Sequence, residues 1–475
     1  MVATIVSQGV GLVRGLVVPL LLTPAQLGVW SMMGVVLNYG GNAHLGILHG
    51  MNKAIPLLRG QGKLEDVEAT KDSVFWLNLL LGTLAGGIVG AASFIAPASY
   101  ASGLRIVTVG VFLQMIFFYL FSLLRADNRF GLVSQGVGVF SILSTVLIVF
   151  LAFRLADPLL GALIGLVGAY ALVVAYWFGK GQYRFTFRLS RGSIREALRM
   201  GVPLVILGAL DTVFLSIDRW VIAVNLGETT LGYYALGAMA SNLIGLVPGA
   251  VATVLYPRTL ERFGETSDPG AVRGLLTGPL RATAALMLVL VGAATLGLPL
   301  LIQLFLPKYL PSVPILEILI PAAFLYSLAN ITGTWMVAIN KQHLLMAVLI
   351  TASLFSLIVD YILLWAGYGV MGVALGTMAG YAFYGLGYIV LAVYLAFGQK
   401  AQTARFLARL LIPFVVMVLA IVVAGFLIEE GQNLLGYVLA AAKRLALVMS
   451  VLLPALWLVN RDGELVRAVR IWSRT

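Results

Sequence analysis

The sequence at residues 132–153, LVSQGVGVFSILSTVLIVFLAF, contains no charged side chain and no proline. A helix of about 20 apolar residues can span the hydrocarbon core of a bilayer, because its backbone polar groups are satisfied within the helix. The whole chain has this character, since 61% of its 475 residues are hydrophobic and only 11% are charged. This composition excludes a soluble enzyme, a disordered chain and a fibrous protein, and it indicates a polytopic membrane protein.

Thirteen similar apolar stretches accompany this one. The fourteen predicted spans lie within 2–22, 27–50, 73–95, 103–124, 132–153, 158–178, 200–224, 231–256, 282–305, 314–339, 344–365, 369–397, 409–427 and 437–459. Of the 31 Lys and Arg residues, 24 lie in alternate loops and only three in the opposite loops. The positive-inside rule therefore predicts that both termini are cytoplasmic. We interpret the net charge of +12 as the result of basic residues that set the membrane topology and contact anionic lipid, and not as a sign of nucleic-acid binding.

The sequence lacks the common signatures of catalysis and metal binding. It has no cysteine and only three histidines, which leaves no disulfide and little for a metal site. It has no P-loop, HExxH or GxSxG motif. We expect no cofactor beyond a coupling cation, H+ or Na+. An enzyme such as a polysaccharide polymerase or ligase is disfavoured, because that chemistry needs a larger outer domain than these short loops provide.

An internal repeat relates the two halves of the chain at offsets of about 204 to 212 residues. The sequence Leu27-Gly28-Val29-Trp30 recurs as Leu231-Gly232-Tyr233-Tyr234. The further matching pairs include Arg14 with Arg219, Asn38 with Asn242, and Lys53 with Arg258. Because each half has six spans, the halves enter the membrane from the same side and are related by an axis along the membrane normal. By the offset of Arg14, the first span should begin before Met1.

The repeat predicts the domain organisation of an all-α membrane protein with about fourteen transmembrane helices. Residues 1–178 form a first six-helix bundle, and residues 200–397 form a second, pseudo-symmetric one. A basic cytoplasmic linker, 179–199, joins them. Residues 398–475 add two transmembrane helices and a basic cytoplasmic tail.

This architecture, with the loop Ile55-Pro56-Leu57-Leu58-Arg59-Gly60-Gln61-Gly62-Lys63 before an acidic helix, resembles a known family. It is similar to the oligosaccharide flippases, the O-antigen and polysaccharide transporters of the multidrug/oligosaccharidyl-lipid/polysaccharide exporter superfamily. The resemblance implies a V-shaped pair of bundles that moves undecaprenyl-diphosphate-linked oligosaccharide across the bacterial inner membrane by alternating access. The partners that the resemblance implies are this substrate, membrane lipids, and a polysaccharide polymerase with its chain-length machinery.

Two arginines lie inside predicted spans. A charge at mid-membrane costs about 2.5–3.5 kcal/mol on insertion scales, so such residues mark ligand or ion pathways by default. Arg14 and Arg219 occupy matching positions of the first and seventh spans. We predict that both face one cavity and bind the substrate diphosphate, since a guanidinium group pairs with phosphate oxygens in a bidentate manner. A purely structural role is the alternative.

Further polar residues complete the predicted site. Asn38, Asn42, His49 and Asn52 follow helical spacing along the second span, in a stripe that ends at Lys53, and hydrogen bonding between helices explains it equally well. The repeat adds the substrate-binding candidates Asn242 and Arg258. Asp211 and Asp218, one helical stripe on the seventh span, are predicted to couple transport to a cation, with structural charge pairing as the alternative.

Two other transporter functions remain open at this point. An ion-coupled exporter of cationic drugs uses the same scaffold, but its site should be acidic, whereas the repeated charge here is arginine. A flippase for lipid II, another diphosphate-linked glycan, cannot be distinguished by charge.

Overall fold

The structure, a computed structural model, describes residues 2–181, 183, 185–428 and 434–459. These residues form helices and short connections, and no β-strand occurs among them. The all-α fold predicted from the apolar stretches is therefore confirmed. The sequence predicts Glu429 and Glu430 as ion-pair partners of Lys443 and Arg444. Both glutamates, and the basic tail beyond residue 459, lie outside the described residues.

The helices cluster into two compact units, Met1–Gly232 and Tyr233–Thr475. The first unit contains α1 (Val2–Leu21), α2 (Pro24–Asn42), α3 (Ile47–Gly60), α4 (Leu64–Ile95), α5 (Ala98–Ala126), α6 (Phe130–Arg154), α7 (Pro158–Gly181), α8 (Arg191–Phe214) and α9 (Ile217–Asn225). The boundary falls within α10 (Gly227–Ile244). The second unit continues with α11 (Leu246–Thr266), α12 (Arg273–Phe305), α13 (Val313–Ala338), α14 (Gln342–Leu363), α15 (Gly369–Phe397), α16 (Lys400–Leu427) and α17 (Leu434–Val459). The domain boundaries drawn from the repeat stay a prediction.

Each of the fourteen predicted spans falls on one helix or on two consecutive helices. Among the described residues, ten helical stretches are long and apolar enough to cross a membrane. One of them, Gln342–Phe397, has 56 residues, which at 1.5 Å per residue is about 84 Å and far exceeds a core of about 30 Å. The chain turns between α14 and α15 at Gly367 and Gly369, which have φ of 87° and 55°. This stretch therefore crosses the membrane twice. The protein is a multi-pass membrane protein.

Three spans that the sequence predicts as continuous are broken. The second span, predicted over 27–50, is interrupted at 43–46 between α2 and α3, where Leu45 and Gly46 have φ of 49° and 86°. The seventh is interrupted at 215–216 between α8 and α9, and the eighth at Gly245 between α10 and α11. Helix α3 also continues to Gly60, so the predicted inner loop 51–72 is helical except at 61–63.

Glycines allow helices of the first unit to touch backbone to backbone. A Cβ on Gly28 would overlap the carbonyl of Glu228, and one on Gly232 would overlap that of Pro24. The recurrent Leu-Gly pair of the repeat therefore marks a close helix contact, as small residues do in membranes. A second such contact joins α3 to α8 through Gly50 and Gly201.

The predicted topology can be tested by labelling, because the chain has no cysteine. Gln61 in the α3–α4 turn and Ser99 near the α4–α5 turn are both exposed. In spheroplasts, we expect a membrane-impermeant maleimide to label Ser99→Cys before lysis and Gln61→Cys only after lysis. Labelling of Gln61→Cys in intact spheroplasts would reverse the orientation derived from the basic loops.

Candidate substrate site

A cavity of about 340 Å³ lies in the first unit, at the break between α2 and α3. Side chains of α2, α3, α5 and α8 line it, together with the break itself. Its lining residues are Asn38, Gly41, Asn42, His44, Leu48, His49, Asn52, Gln114, Phe118, Phe121, Ser122, Arg125 and Thr212. Irregular backbone at membrane depth is tolerated where it lines a cavity, and interrupted helices mark binding sites in transporters.

The wall formed by α2 and the break is polar and internally bonded. Asn42 Nδ2 donates to the Asn38 carbonyl at 3.1 Å and to Thr212 Oγ1 on α8 at 3.0 Å. His44 Nδ1 accepts from the Gly46 N–H at 3.0 Å, and the His44 ring meets the His49 ring edge-on at 5.2 Å. The hydrogen bonds fix Asn42 between two helices, whereas Asn38 and His49 remain exposed for a ligand.

The opposite wall is one face of α5, which the sequence analysis missed. Gln114, Phe118 and Ser122 follow one another at i+4, and Phe121 and Arg125 continue the face. The predicted span ends at residue 124, but α5 runs to Ala126 and places the Arg125 guanidinium 5.4 Å from the Phe121 ring. The signal was present, since glutamine and serine recur at helical spacing within an otherwise apolar span.

Gln114 carries an unused acceptor. Its side chain is buried at 6% exposure, and Oε1 has no hydrogen-bond partner among the described residues. An unsatisfied buried polar atom costs about 1–3 kcal/mol. A ligand hydroxyl or amide that donates to this oxygen would recover that cost.

Arg14 lies against α6. Its Nη1 donates to Ser144 Oγ at 3.2 Å. Two helical turns earlier on α1, the Ser7 carbonyl accepts from Ser141 Oγ at 3.1 Å. No carboxylate of the described residues lies within 4.0 Å of this guanidinium. The positive charge of Arg14 is therefore not neutralised by an ion pair in the described part of the chain.

The matching region of the second repeat contacts α2 instead. Ser216 Oγ and Tyr39 Oη are 2.7 Å apart, and Thr212 accepts from Asn42. Arg219 lies in the first turn of α9, where its backbone N–H donates to Asp218 Oδ1 at 2.7 Å. Its side-chain Nε is buried with no hydrogen-bond partner among the described residues.

The structure brings together some of the predicted residues. Asn38, Asn42 and His49 share the cavity. Lys53, Arg14, Arg219, Asp211 and Asp218 do not line it. Asn242 and Arg258 belong to the second unit. The pairing of Arg14 with Arg219 around one substrate stays a prediction, as does the role of the two aspartates.

The fold is shared with solved transporters. A structure described as the lipid II flippase MurJ in an inward closed conformation has a TM-score of 0.69 at 15% identity, covering 97% of this chain and 98% of that one. An inward-facing multidrug resistance MATE transporter has a TM-score of 0.66 at 16% identity, covering 84% and 95%. A transporter of the MOP superfamily from Pyrococcus furiosus has a TM-score of 0.53 at 16% identity, covering 86% of this chain and 94% of that one.

These likenesses define the class: the chain has the fold of the multidrug/oligosaccharidyl-lipid/polysaccharide exporter superfamily of membrane transporters. The polysaccharide biosynthesis protein family matches residues 17–314, more than half of the chain. The protein belongs to that family. No curated protein sequence matches this chain significantly.

Proposed function

We propose that this protein is a flippase for undecaprenyl-diphosphate-linked oligosaccharide in the bacterial inner membrane. It would move the glycan from the inner to the outer leaflet for O-antigen or exopolysaccharide synthesis, with both termini cytoplasmic and without enzymatic activity of its own. The observation that carries this proposal is the cavity at the α2–α3 break. Its lining combines amides, imidazoles and phenylalanines, the groups that bind sugar hydroxyls and sugar faces, in a member of a polysaccharide biosynthesis family.

The diphosphate would be bound by arginine. Arg14 has a serine hydroxyl as its side-chain partner and no described carboxylate beside it, so an anion would offset the cost of its burial. Arg219 has a buried Nε that is free to donate. A guanidinium group stays charged and matches phosphate geometry, which makes it the suitable residue type.

Coupling to a cation gradient would drive the cycle. Asp211 near the end of α8 and Asp218 at the start of α9 flank the break in the seventh span. Carboxylates at such a break could take up H+ or Na+ in one state and release it in the other. We assign them this role, with no nucleotide involved, because the sequence has no P-loop.

The alternatives are supported to different degrees. A lipid II flippase is the second candidate, because the solved MurJ structure covers nearly all of both chains and lipid II also carries a diphosphate. An exporter of cationic drugs is less well supported, since the cavity lining contains arginine and no carboxylate. A polymerase would leave single lipid-linked units on the outer face when deleted, whereas loss of a flippase would trap them inside.

The discriminating experiment uses proteoliposomes that contain either undecaprenyl-diphosphate oligosaccharide or lipid II, with an impermeant glycosidase or lectin to detect flipped glycan. We expect the oligosaccharide to be flipped faster, and only with a Na+ or pH gradient. Gln114→Leu should slow flipping about tenfold, because one buried polar contact to the glycan is worth about 1–1.5 kcal/mol. Gln135→Leu makes the same change on α6, where Gln135 accepts from Tyr176 outside the cavity, and should have little effect.

Other results would redirect the proposal. Preferential flipping of lipid II would favour the second candidate. Equal slowing by Gln114→Leu and Gln135→Leu would remove the cavity from the substrate path. Full activity without a gradient, with Asp211→Asn and Asp218→Asn both normal, would remove the coupling role of the aspartates.

A further inference from the structure

The linker between α7 and α8 is fixed to the start of α4. The Phe185 ring stacks on the Phe75 ring with centroids 4.0 Å apart. Thr186 uses both backbone groups: its carbonyl accepts from Trp76 Nε1 at 3.0 Å, and its N–H donates to Asp72 Oδ1 at 3.3 Å. This end of the linker therefore has a defined position on the first unit.

The linker's second half is held by one serine. Ser73 Oγ donates to the Arg188 carbonyl at 3.1 Å and accepts from the Ser190 N–H at 2.8 Å. Ser190 in turn caps α8 by accepting from the Ser193 N–H at 3.3 Å. The extended segment and the first turn of α8 are thus a single supported surface.

Two large apolar side chains of this segment point outward. Phe187 is 72% exposed and Leu189 is 52% exposed. The Phe187 ring meets the indole of Trp76 edge-on at 5.2 Å. Tryptophan is enriched where a protein meets the headgroup region of a membrane.

A row of arginines continues this surface along α8. Arg191, Arg195 and Arg199 follow at i+4 spacing, so they lie on one face, and all three are exposed. The opposite face is anchored by Ala197, which is fully buried against α3 near Gly50. Within the residues that the structure describes, no carboxylate lies within 4.0 Å of any of the three guanidinium groups.

We propose that this surface, the linker face (Phe187, Leu189, Arg191, Arg195 and Arg199), binds anionic phospholipid headgroups of the cytoplasmic leaflet. The arginines would contact the phosphates, while Phe187 and Leu189 enter the interface between headgroups and acyl chains. A membrane fits better than a soluble acidic partner, because the surface joins the ends of two membrane-spanning helices and combines apolar side chains with positive charge. The inference does not depend on which substrate the protein transports.

The binding test uses the full chain in neutral detergent, with lipid adducts measured by native mass spectrometry. Wild-type protein should bind phosphatidylglycerol in preference to phosphatidylcholine. R191Q/R195Q/R199Q should weaken phosphatidylglycerol binding roughly 100-fold. The control K63Q/K400Q/R405Q removes the same charge from exposed positions outside the linker face, one in the α3–α4 turn and two on α16, and should change binding by less than about threefold. An equal loss of phosphatidylglycerol binding in both triple variants would mean that net charge alone attracts the lipid. Full displacement of the lipid by inorganic phosphate would mean that the surface is a site for free anions. Either result would overturn the proposal.

A second measurement does not depend on the folding of the triple variant. Because the chain lacks cysteine, Phe187→Cys can carry a single bimane label, with Leu64→Cys, 64% exposed at the start of α4, as the control position. In nanodiscs that contain brominated phosphatidylglycerol, we expect strong quenching at 187 and weak quenching at 64. The same weak quenching at both positions would show that the linker face does not enter the membrane interface.

Discussion

Arg14→Ala is expected to abolish measurable flipping while leaving the amount of protein in the membrane near normal. Arg14 has one side-chain partner, Ser144, and no described carboxylate beside it. If its charge serves a substrate diphosphate, its loss removes charge-assisted hydrogen bonds worth about 1.5–3 kcal/mol each. If the arginine were only structural, its removal would change stability through the lost Ser144 bond and the relieved cost of burial, and the folded protein would still flip its substrate. The two roles therefore predict opposite results for flipping.

The measurement is flipping in proteoliposomes together with thermal stability in detergent. Arg14→Lys should retain part of the activity, since the charge survives but the bidentate geometry does not. Arg105→Ala is the matched control, because Arg105 is an exposed arginine on α5 that stacks over Phe94. Arg219→Ala should match Arg14→Ala if both bind one diphosphate. Wild-type flipping by both alanine variants would contradict the diphosphate role.

Gly201→Ala is expected to separate α3 from α8 and destabilise the first unit. A Cβ at this position would overlap the Gly46 carbonyl and lie 2.9 Å from the Gly50 nitrogen. These are backbone atoms, which cannot rotate aside as a side chain can. Overpacking of this kind costs about 1–3 kcal/mol, and the shift would also displace Gly46, which ends the break beside the cavity.

Gly208→Ala is the control on the same helix. Its new Cβ would meet Asn42 Oδ1 at 3.7 Å, an ordinary contact, and alanine favours the helix. We expect the melting temperature of Gly201→Ala to fall by several degrees and that of Gly208→Ala to stay the same or rise. Similar melting temperatures for the two variants would show that the α3–α8 contact does not stabilise the unit.

The spans were predictable because about 20 consecutive apolar residues have few other uses in a protein. The breaks at 43–46 and 215–216 were not, because the apolar pattern continues across them. What interrupts the second span is a left-handed conformation at Leu45 and Gly46, and Gly46 packs against the backbone of Gly201 on α8, which is distant in sequence. Local pattern does not encode such contacts.

One wall of the candidate site contains residues predicted from the sequence, and the other contains residues that were not predicted. The stripe Asn38, Asn42 and His49 was visible as polar residues in an apolar helix, and the structure places it in the cavity. Gln114 was overlooked because a single glutamine hardly changes the hydropathy of the fourth span. Its proposed role rests on burial and on an acceptor without a partner, and both are tertiary properties.

The contact between α3 and α8 also sets an order for biosynthesis. Four helices, α4 to α7, lie between them in the sequence, so a nascent chain inserts all four before α3 meets its partner. Until then the Gly46 and Gly50 backbone has no helix α8 to cover it, and the amides of α2 face the translocation machinery or lipid. A chain that stops after α7 would therefore lack the packing partner of α3, although it contains every helix of the first sequence repeat.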